Sequence, residues 1–404
     1  MRPHGIFSLR DPKAHSKRRN LLSHAFSHAN LQECEALVQE QIEKLLQVLQ
    51  DSAGKPIDML NWFRLAAFDV VGEFFLGQSF GGLDSGQTPS FLQDIEQFFI
   101  LADLQWNSPL LACAIPYIPL QSVRHFSRAM QRLADYGENA FHRYVNEYGR
   151  DSGRRDLLTK ILSVEPEHDT APLSDHETSI EVGNLVFAGT GTCPPFKHNS
   201  MRTYPTANSA PDTTSTTLTF LFWELAQHQE WQSRLRAELR AHAPVPSTFQ
   251  QVQNLPILDA VINEALRLHP AAPASLPRET PLGGQVLNGY SIPEKTIVSM
   301  QCYTTHRDPH AYPEPESFRP ERWMDPTAIT YGMKELFMPF SKGTRACVGK
   351  NLAAMELKLI TVNLVRSFSF TPAPDTTAES MATKDHFLLV PKGGKCNLIF
   401  EEVG

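Results

Sequence analysis

Apolar positions recur with helical period through the first two thirds of the chain. Ile42, Leu45, Leu46 and Leu49 fall at i, i+3, i+4 and i+7, one stripe of an amphipathic helix. Residues 58–75 predict a second helix, closed by Gly77. Residues 90–104 and 122–148 predict two more, separated by a proline-rich stretch at 112–119. Ser174 and Glu177 have the spacing of a capping box and open another. Leu258, Val261, Ile262 and Ala265 mark a helix that starts near Pro256 and must end before Pro270. The pattern then changes. Residues 285–301 carry β-branched positions punctuated by Asn288-Gly289 and Pro293, which predicts short strands and turns. Residues 305–341 are irregular and rich in Pro, Arg and aromatics, whereas 352–368 is apolar on most sides and predicts a buried helix. The tail, 387–400, predicts a hairpin around Gly393-Gly394. Many helices with a small sheet give a mainly α, α+β class, without an internal repeat.

Composition narrows the function classes. The 404 residues carry 37 basic and 44 acidic side chains, a net charge of -7, which argues against a general nucleic-acid binder. No apolar run approaches the roughly 18 residues of a membrane span, and the charged start lacks the apolar core of a secretory signal. Cys34, Cys113, Cys193, Cys302, Cys347 and Cys396 are scattered with no Cys-x-x-Cys, so they form neither a disulfide framework nor a zinc site and suit a reducing compartment.

One stretch does not fit the pattern. Residues 191–211 are polar, hold four prolines and interrupt an apolar helical pattern on both sides; without them one continuous helix would run from about Ser174 to His228. Codons for Gly191-Thr192-Cys193 can hold a donor-like GTACGT, those for Ala207-Asn208 a branch-point-like CTAAC, and those for Pro211-Asp212 a terminal AG. Removing that length keeps the frame and rebuilds an Asp codon between Thr190 and Thr213. The segment reads as a retained, disordered intron product; the alternative is a genuine surface loop.

The densest chemistry lies at Phe340-Ser-Lys-Gly343-Thr-Arg345-Ala-Cys347-Val-Gly349, directly before the buried helix. A helix N-terminus stabilises a thiolate, Arg345 adds a cation, and Gly343 and Gly349 allow turns and close backbone approach. A lone cysteine is more often a small buried hydrophobe. The ten-residue pattern, however, resembles the haem-binding loop of the cytochrome P-450 superfamily, with Cys347 matching the axial ligand of the haem iron.

Other motifs agree with that resemblance. Glu264 and Arg267 share a helix face, which alone suggests an exposed ion pair of small worth. With Arg322 in Phe318-Arg-Pro-Glu-Arg322-Trp323 they resemble the family's buried Glu-Arg-Arg network, which is structural. With 191–211 removed, Ala188-Gly-Thr190 joins Asp212-Thr213-Thr214 and is similar to the family's oxygen-activation motif. Asp212 and Thr213 would then be the acid and alcohol that feed and relay protons. His15 and Arg19 in His15-Ser-Lys-Arg-Arg19 look like a propionate-binding helix, and Arg278 in Leu276-Pro-Arg278 like a second propionate site. Phe340, Arg345 and Gly349 complete the implied haem cradle. His306-Arg307-Asp308-Pro309 matches a structural string, and His269 reads as a helix-end residue.

The resemblance runs from about Ile6 onward and implies a single domain that lacks the family's N-terminal part. Strands near 285–301 would then lack partners, leaving an open sheet edge. It implies haem as cofactor and insertion of one atom of O2 into a hydrophobic small molecule. Electrons would come from an external NADPH-dependent reductase, and the chain would be a monomer at the cytosolic face of the endoplasmic reticulum membrane, although it shows no anchor. The string style resembles filamentous-fungal members of secondary metabolism, with 90–104, 186–188 and 271–276 as pocket candidates. Alternative readings are a truncated, non-catalytic product that binds haem poorly and a haem-thiolate enzyme that catalyses a rearrangement.

Overall fold

The computed structural model describes residues 5–95, 97, 108, 115–118, 121–163, 173–190, 213–386 and 388–403. Asp11 opens α1 (Pro12–Ala25): its carboxylate accepts from the Ala14 amide, and Pro12 sits where a helix has no use for an N–H. The stripe of Ile42, Leu45 and Leu49 is buried on α2 (Glu35–Asp51). A short strand, β1 (Pro56–Asp58), leads into α3 (Met59–Leu76), capped by Asp58 through the Leu60 amide at 3.2 Å. Gly77 ends α3 at φ 69°, the left-handed conformation that suits glycine. Nearly every side of α3 is buried, which is why its apolar positions show little periodicity.

The helix expected over 122–148 is two helices, α4 (Gln121–Ser127) and α5 (Ala129–Tyr148). The break falls at Arg128, whose amide turns back to the His125 carbonyl at 3.2 Å. Arg132, one turn on, donates to the same carbonyl and grips Asp94 through Nε at 2.9 Å. A helix end secured by an arginine that a carboxylate 38 positions away holds in place leaves no trace in apolar spacing. Of the helix expected over 90–104, residues 90–95 and 97 are helical and the rest lies outside the described residues, as does half of 112–119. After α6 (Leu157–Leu162), the Ser174–Glu177 capping box forms and opens α7 (Asp175–Thr190). Helices α5 and α7 pack through glycines: a Cβ on Gly137 would stand 2.9 Å from Gly183 Cα.

Helix α8 (Thr213–Gln227) lies with α7 against α3. Helices α9 (Gln229–His242), α10 (Pro256–Leu268) and, after the short α11 (Tyr331–Leu336), α12 (Lys350–Ser367) close the bundle. Helix α12 packs on α2, α8, α9 and α10, so the helix that follows the cysteine loop is central to the core.

Strands β2 (Ser275–Glu279) and β5 (Ile297–Gln301) pair antiparallel, and β3 (Gln285–Leu287) pairs with β4 (Tyr290–Ile292) across Asn288 and Gly289, both at positive φ. The strands at 285–301, expected to lack partners, are thus each paired within two-stranded sheets; among the described residues β2 and β5 have no further strand partner, and Ile297 and Met300 are exposed. The tail departs from expectation. Strand β8 (Leu388–Pro391) pairs back with β7 (Thr383–His386), whereas β9 (Asn397–Glu402) lies between β1 and β6 (Phe368–Pro372). The segments flanking Gly393-Gly394 therefore belong to different sheets. Strand β8 is buried throughout, whereas β9 alternates before its exposed end, so the two serve different surroundings.

Candidate functional site

The Cys347 loop is held by its own backbone and by α11. Lys342 Nζ donates to the Lys334 and Glu335 carbonyls at 2.8 and 2.7 Å, at the C-terminal end of α11. Ser341 (φ 59°) and Gly343 (φ 74°) turn the chain through left-handed conformations. A Cβ on Gly343 would meet no atom within 4 Å, so backbone angle and not space demands glycine there. The Phe340 carbonyl then accepts the Cys347 amide at 2.9 Å. Gly349 caps α12 at an ordinary φ of -83°; a Cβ there would lie 3.9 Å from Cys347 Sγ. That is an ordinary contact distance, so neither backbone angle nor space within the chain demands glycine there, and the turn expected at Gly349 is not seen.

Cys347 is exposed to solvent, yet protein surrounds it closely enough that burial pushes its thiol pKa up. A side chain that is both reachable and enclosed lies in a recess. The Gly349 amide, Arg19 and Lys350 pull the other way without prevailing, so the expected lowering of the thiol pKa by the loop is not met. Desolvation outweighs the helix end, and a bound metal ion would complete the deprotonation.

Basic groups from two other segments, α1 and β2, converge on this loop. Arg19 of α1 donates to the Ala346 carbonyl at 2.6 Å. Buried His15, one turn earlier, has its pKa lowered by burial and then by the charges of Arg345 and Arg19. Arg345 is lowered by burial and by Arg278 of β2, and its guanidinium reaches the Arg10 carbonyl at 3.4 Å. Arg278 bonds its neighbour's carbonyl, that of Pro277, at 2.8 Å. Among the described residues none of these four forms an ion pair with a carboxylate. A free thiol in a recess beside three arginines that no carboxylate pairs with fits a metal-centred, dianionic cofactor such as haem, with its two propionates.

Glu264 of α10 is fully buried, as is Arg267. Arg267 Nε and Nη2 grip both carboxylate oxygens at 2.9 and 2.8 Å. Arg322 Nε (3.0 Å), the Arg319 amide (2.9 Å) and Trp323 Nε1 (2.8 Å) also donate to Glu264. Arg267 further donates to the carbonyls of His306, Pro315 and Ser317. The pair is thus a buried hub and not a surface ion pair. Trp323 carries no signal of this role in the sequence beyond its place next to Arg322.

Thr213 is the first residue of α8, and Asp212 lies outside the described residues. One position on, Thr214 Oγ1 donates to Glu356 of α12 at 3.1 Å. His269 ends α10, stacks on Phe220 with ring centroids 4.3 Å apart and bonds Glu224 at 2.7 Å, the helix-end role expected of it.

The Cytochrome P450 family model matches residues 1–194 and 206–398. The chain belongs to the cytochrome P450 family. A P450 monooxygenase, tazI of Aspergillus terreus, is 30% identical over 401 residues, 98% of this chain and 77% of the relative. The P450 monooxygenase poxM of Penicillium oxalicum is 28% identical over 397 residues, 94% of this chain and 71% of the relative. Benzoate 4-monooxygenase bphA of Aspergillus niger is 28% identical over 419 residues, 96% of this chain and 76% of the relative. The chain is therefore a P450 monooxygenase by family, of fungal type, and its helical bundle with small sheets accords with a P450 fold. No helix among the described residues is long and apolar enough to cross a membrane.

Proposed function

We propose that this P450 is a haem-thiolate monooxygenase that inserts one oxygen atom of O2 into a hydrophobic small molecule of fungal secondary metabolism. The convergence of His15, Arg19, Arg278 and Arg345 on the recess of Cys347 carries this reading. Thiolate-ligated haem, when bound, supplies O–O cleavage, with electrons from an NADPH-dependent reductase. Cys347 provides the sulfur ligand. His15, Arg19, Arg278 and Arg345 hold the propionates, which supply the negative charge this cluster lacks. Phe340 and Gly349 shape the proximal wall. Thr213 relays and Asp212 feeds protons on the substrate side. Glu264, Arg267 and Arg322 hold the loop and take no part in proton transfer. The protein acts as a monomer at the cytosolic face of the endoplasmic reticulum membrane.

The segment 191–211 is read as a retained intron product within a single P450 domain. Supporting this, the family match omits 195–205. Transcript reads that skip the segment are expected; reads that all cross it would leave a surface loop.

The first test is the absorption spectrum of the reduced, carbon monoxide-bound protein. A strongly red-shifted Soret band is expected, and Cys347→Ala should abolish it. A band that survives Cys347→Ala would remove Cys347 as the ligand.

A further inference from the structure

His306 is the side chain between the buried ion network and the cysteine loop. It is fully buried, at the end of a short helix (Cys302–Thr305), with its ring 5.4 Å from that of Phe337. Its Nε2 accepts the Met338 amide at 2.9 Å, so the ring proton sits on Nδ1, which faces the Arg267 carbonyl at 3.2 Å. Arg267 returns the contact by donating to the His306 carbonyl at 3.0 Å. Cys302 Sγ, one turn earlier, donates to the Met338 carbonyl at 3.1 Å. The peptide groups on both sides of Met338 are thus gripped by 302–306. That carbonyl also accepts the Ser341 amide at 2.9 Å, closing the turn that aims the Phe340 carbonyl at the Cys347 amide.

We infer that His306 is a positioning residue for the Cys347 sulfur. It carries the rigidity of the Glu264–Arg267–Arg322 network, through the Met338 peptide, into the loop that presents the thiol. A histidine that only filled space would not need to join two segments and leave each of its ring nitrogens committed. Burial, with the charges of Arg267 and Arg307, holds its pKa down at about 3. The Nε2 lone pair therefore stays available to the Met338 amide at any working pH.

The inference rests on the haem-thiolate reading only for its spectroscopic consequence, so the experiment has two readouts. Amide hydrogen exchange of the loop, followed by mass spectrometry, needs no haem; the reduced, carbon monoxide-bound spectrum does. A parent protein without a red-shifted band would overturn the haem reading while leaving the exchange measurement intact. His306→Phe keeps a planar ring and removes both hydrogen bonds. It is expected to speed exchange across 338–347 by about tenfold or more and to move part of the Soret band to shorter wavelength. His306→Gln, which retains an acceptor within reach of the Met338 amide, should restore most of both. A folded His306→Phe protein with unchanged exchange and spectrum overturns the inference, as does a Gln variant as loose as the Phe variant. If His306→Phe does not fold, Cys302→Ala decides. It releases only the Met338 carbonyl, so a smaller rise in exchange over the same residues is expected, and no rise refutes the proposal.

Discussion

Two clusters of arginine in this molecule differ in one respect. Around Glu264, the charges of Arg267 and Arg322 meet a carboxylate whose two oxygens also accept from Trp323 and the Arg319 amide. Around Cys347, the charges of Arg19, Arg278 and Arg345 meet backbone carbonyls and one another. The first cluster is closed: Glu264 and Arg267 are fully buried, and both carboxylate oxygens are taken up by donors from the chain itself. The second is open: among the described residues its arginines form no ion pair with a carboxylate, and burial and then the charge of Arg278 lower the pKa of Arg345. The closed cluster ties segments of the fold together, and the open one is the proposed seat of the haem propionates.

The largest expected effect breaks the closed cluster. Glu264→Ala leaves Arg267 as an uncompensated buried charge, at a cost of about 3–5 kcal/mol. That is a large part of the 5–15 kcal/mol, roughly, that holds a typical domain together. Chemical denaturation should show the loss directly, in the haem-free protein. A variant with unchanged stability would mean that water or another carboxylate replaces Glu264, and the cluster would not be closed.

Acid should separate the two clusters next. His306 and His15 both have folded pKa values below the ordinary 6.5. The unfolded chain therefore binds the extra protons first as pH falls. Their contribution to stability is complete above about 6.5 and is lost below it, for His306 down to about 3. The slope from one such group approaches about 1.4 kcal/mol per pH unit. In denaturation curves taken between pH 7 and 5, bound haem should flatten the part due to His15 by supplying negative charge beside it. The part due to His306 should persist, since nothing anionic reaches it. Equal flattening of both would show that the ligand acts on the closed cluster as well.

Opening the comparison from the other side has the smallest effect on folding. Arg345→Ala or Arg278→Ala removes a cation from a crowded cluster, so the melting temperature of the haem-free protein should stay level or rise slightly. Haem titration should show weaker binding by about tenfold, since hydrogen bonds to charged groups contribute about 1.5–3 kcal/mol each. Variants that lose stability without haem but keep their haem affinity would move these arginines into the structural class.

Much of the fold was legible from local pattern. The stripe on α2, the Ser174–Glu177 box, the Gly77 stop and the Pro256 start all appear where spacing and capping residues place them. Each depends on residues within a few positions of one another. The misplaced features depend on distant partners. The break at Arg128 is secured by Arg132 and Asp94, and the final strands separate because β9 is claimed by β1 and β6. The packing of Gly137 on Gly183 joins residues that carry no mutual signal in the chain.

The site divides in the same way. Cys347, the cationic residues and the Glu264 network were all readable as motifs, because a ligand and a buried charge each demand particular residue types at set spacing. The direction of the Cys347 pKa was not readable: the helix end and nearby cations are visible in sequence, but the desolvation that outweighs them comes from the whole surround. Nor was the work of His306, since its partners, Arg267 and Met338, lie 39 and 32 positions away. Sequence alone determined which groups are present and which local elements carry them, because propensity and capping act over a turn or two. Tertiary structure decided which charges are neutralised, which thiol is enclosed and which side chain links network to loop, because burial and electrostatics depend on what folding brings near.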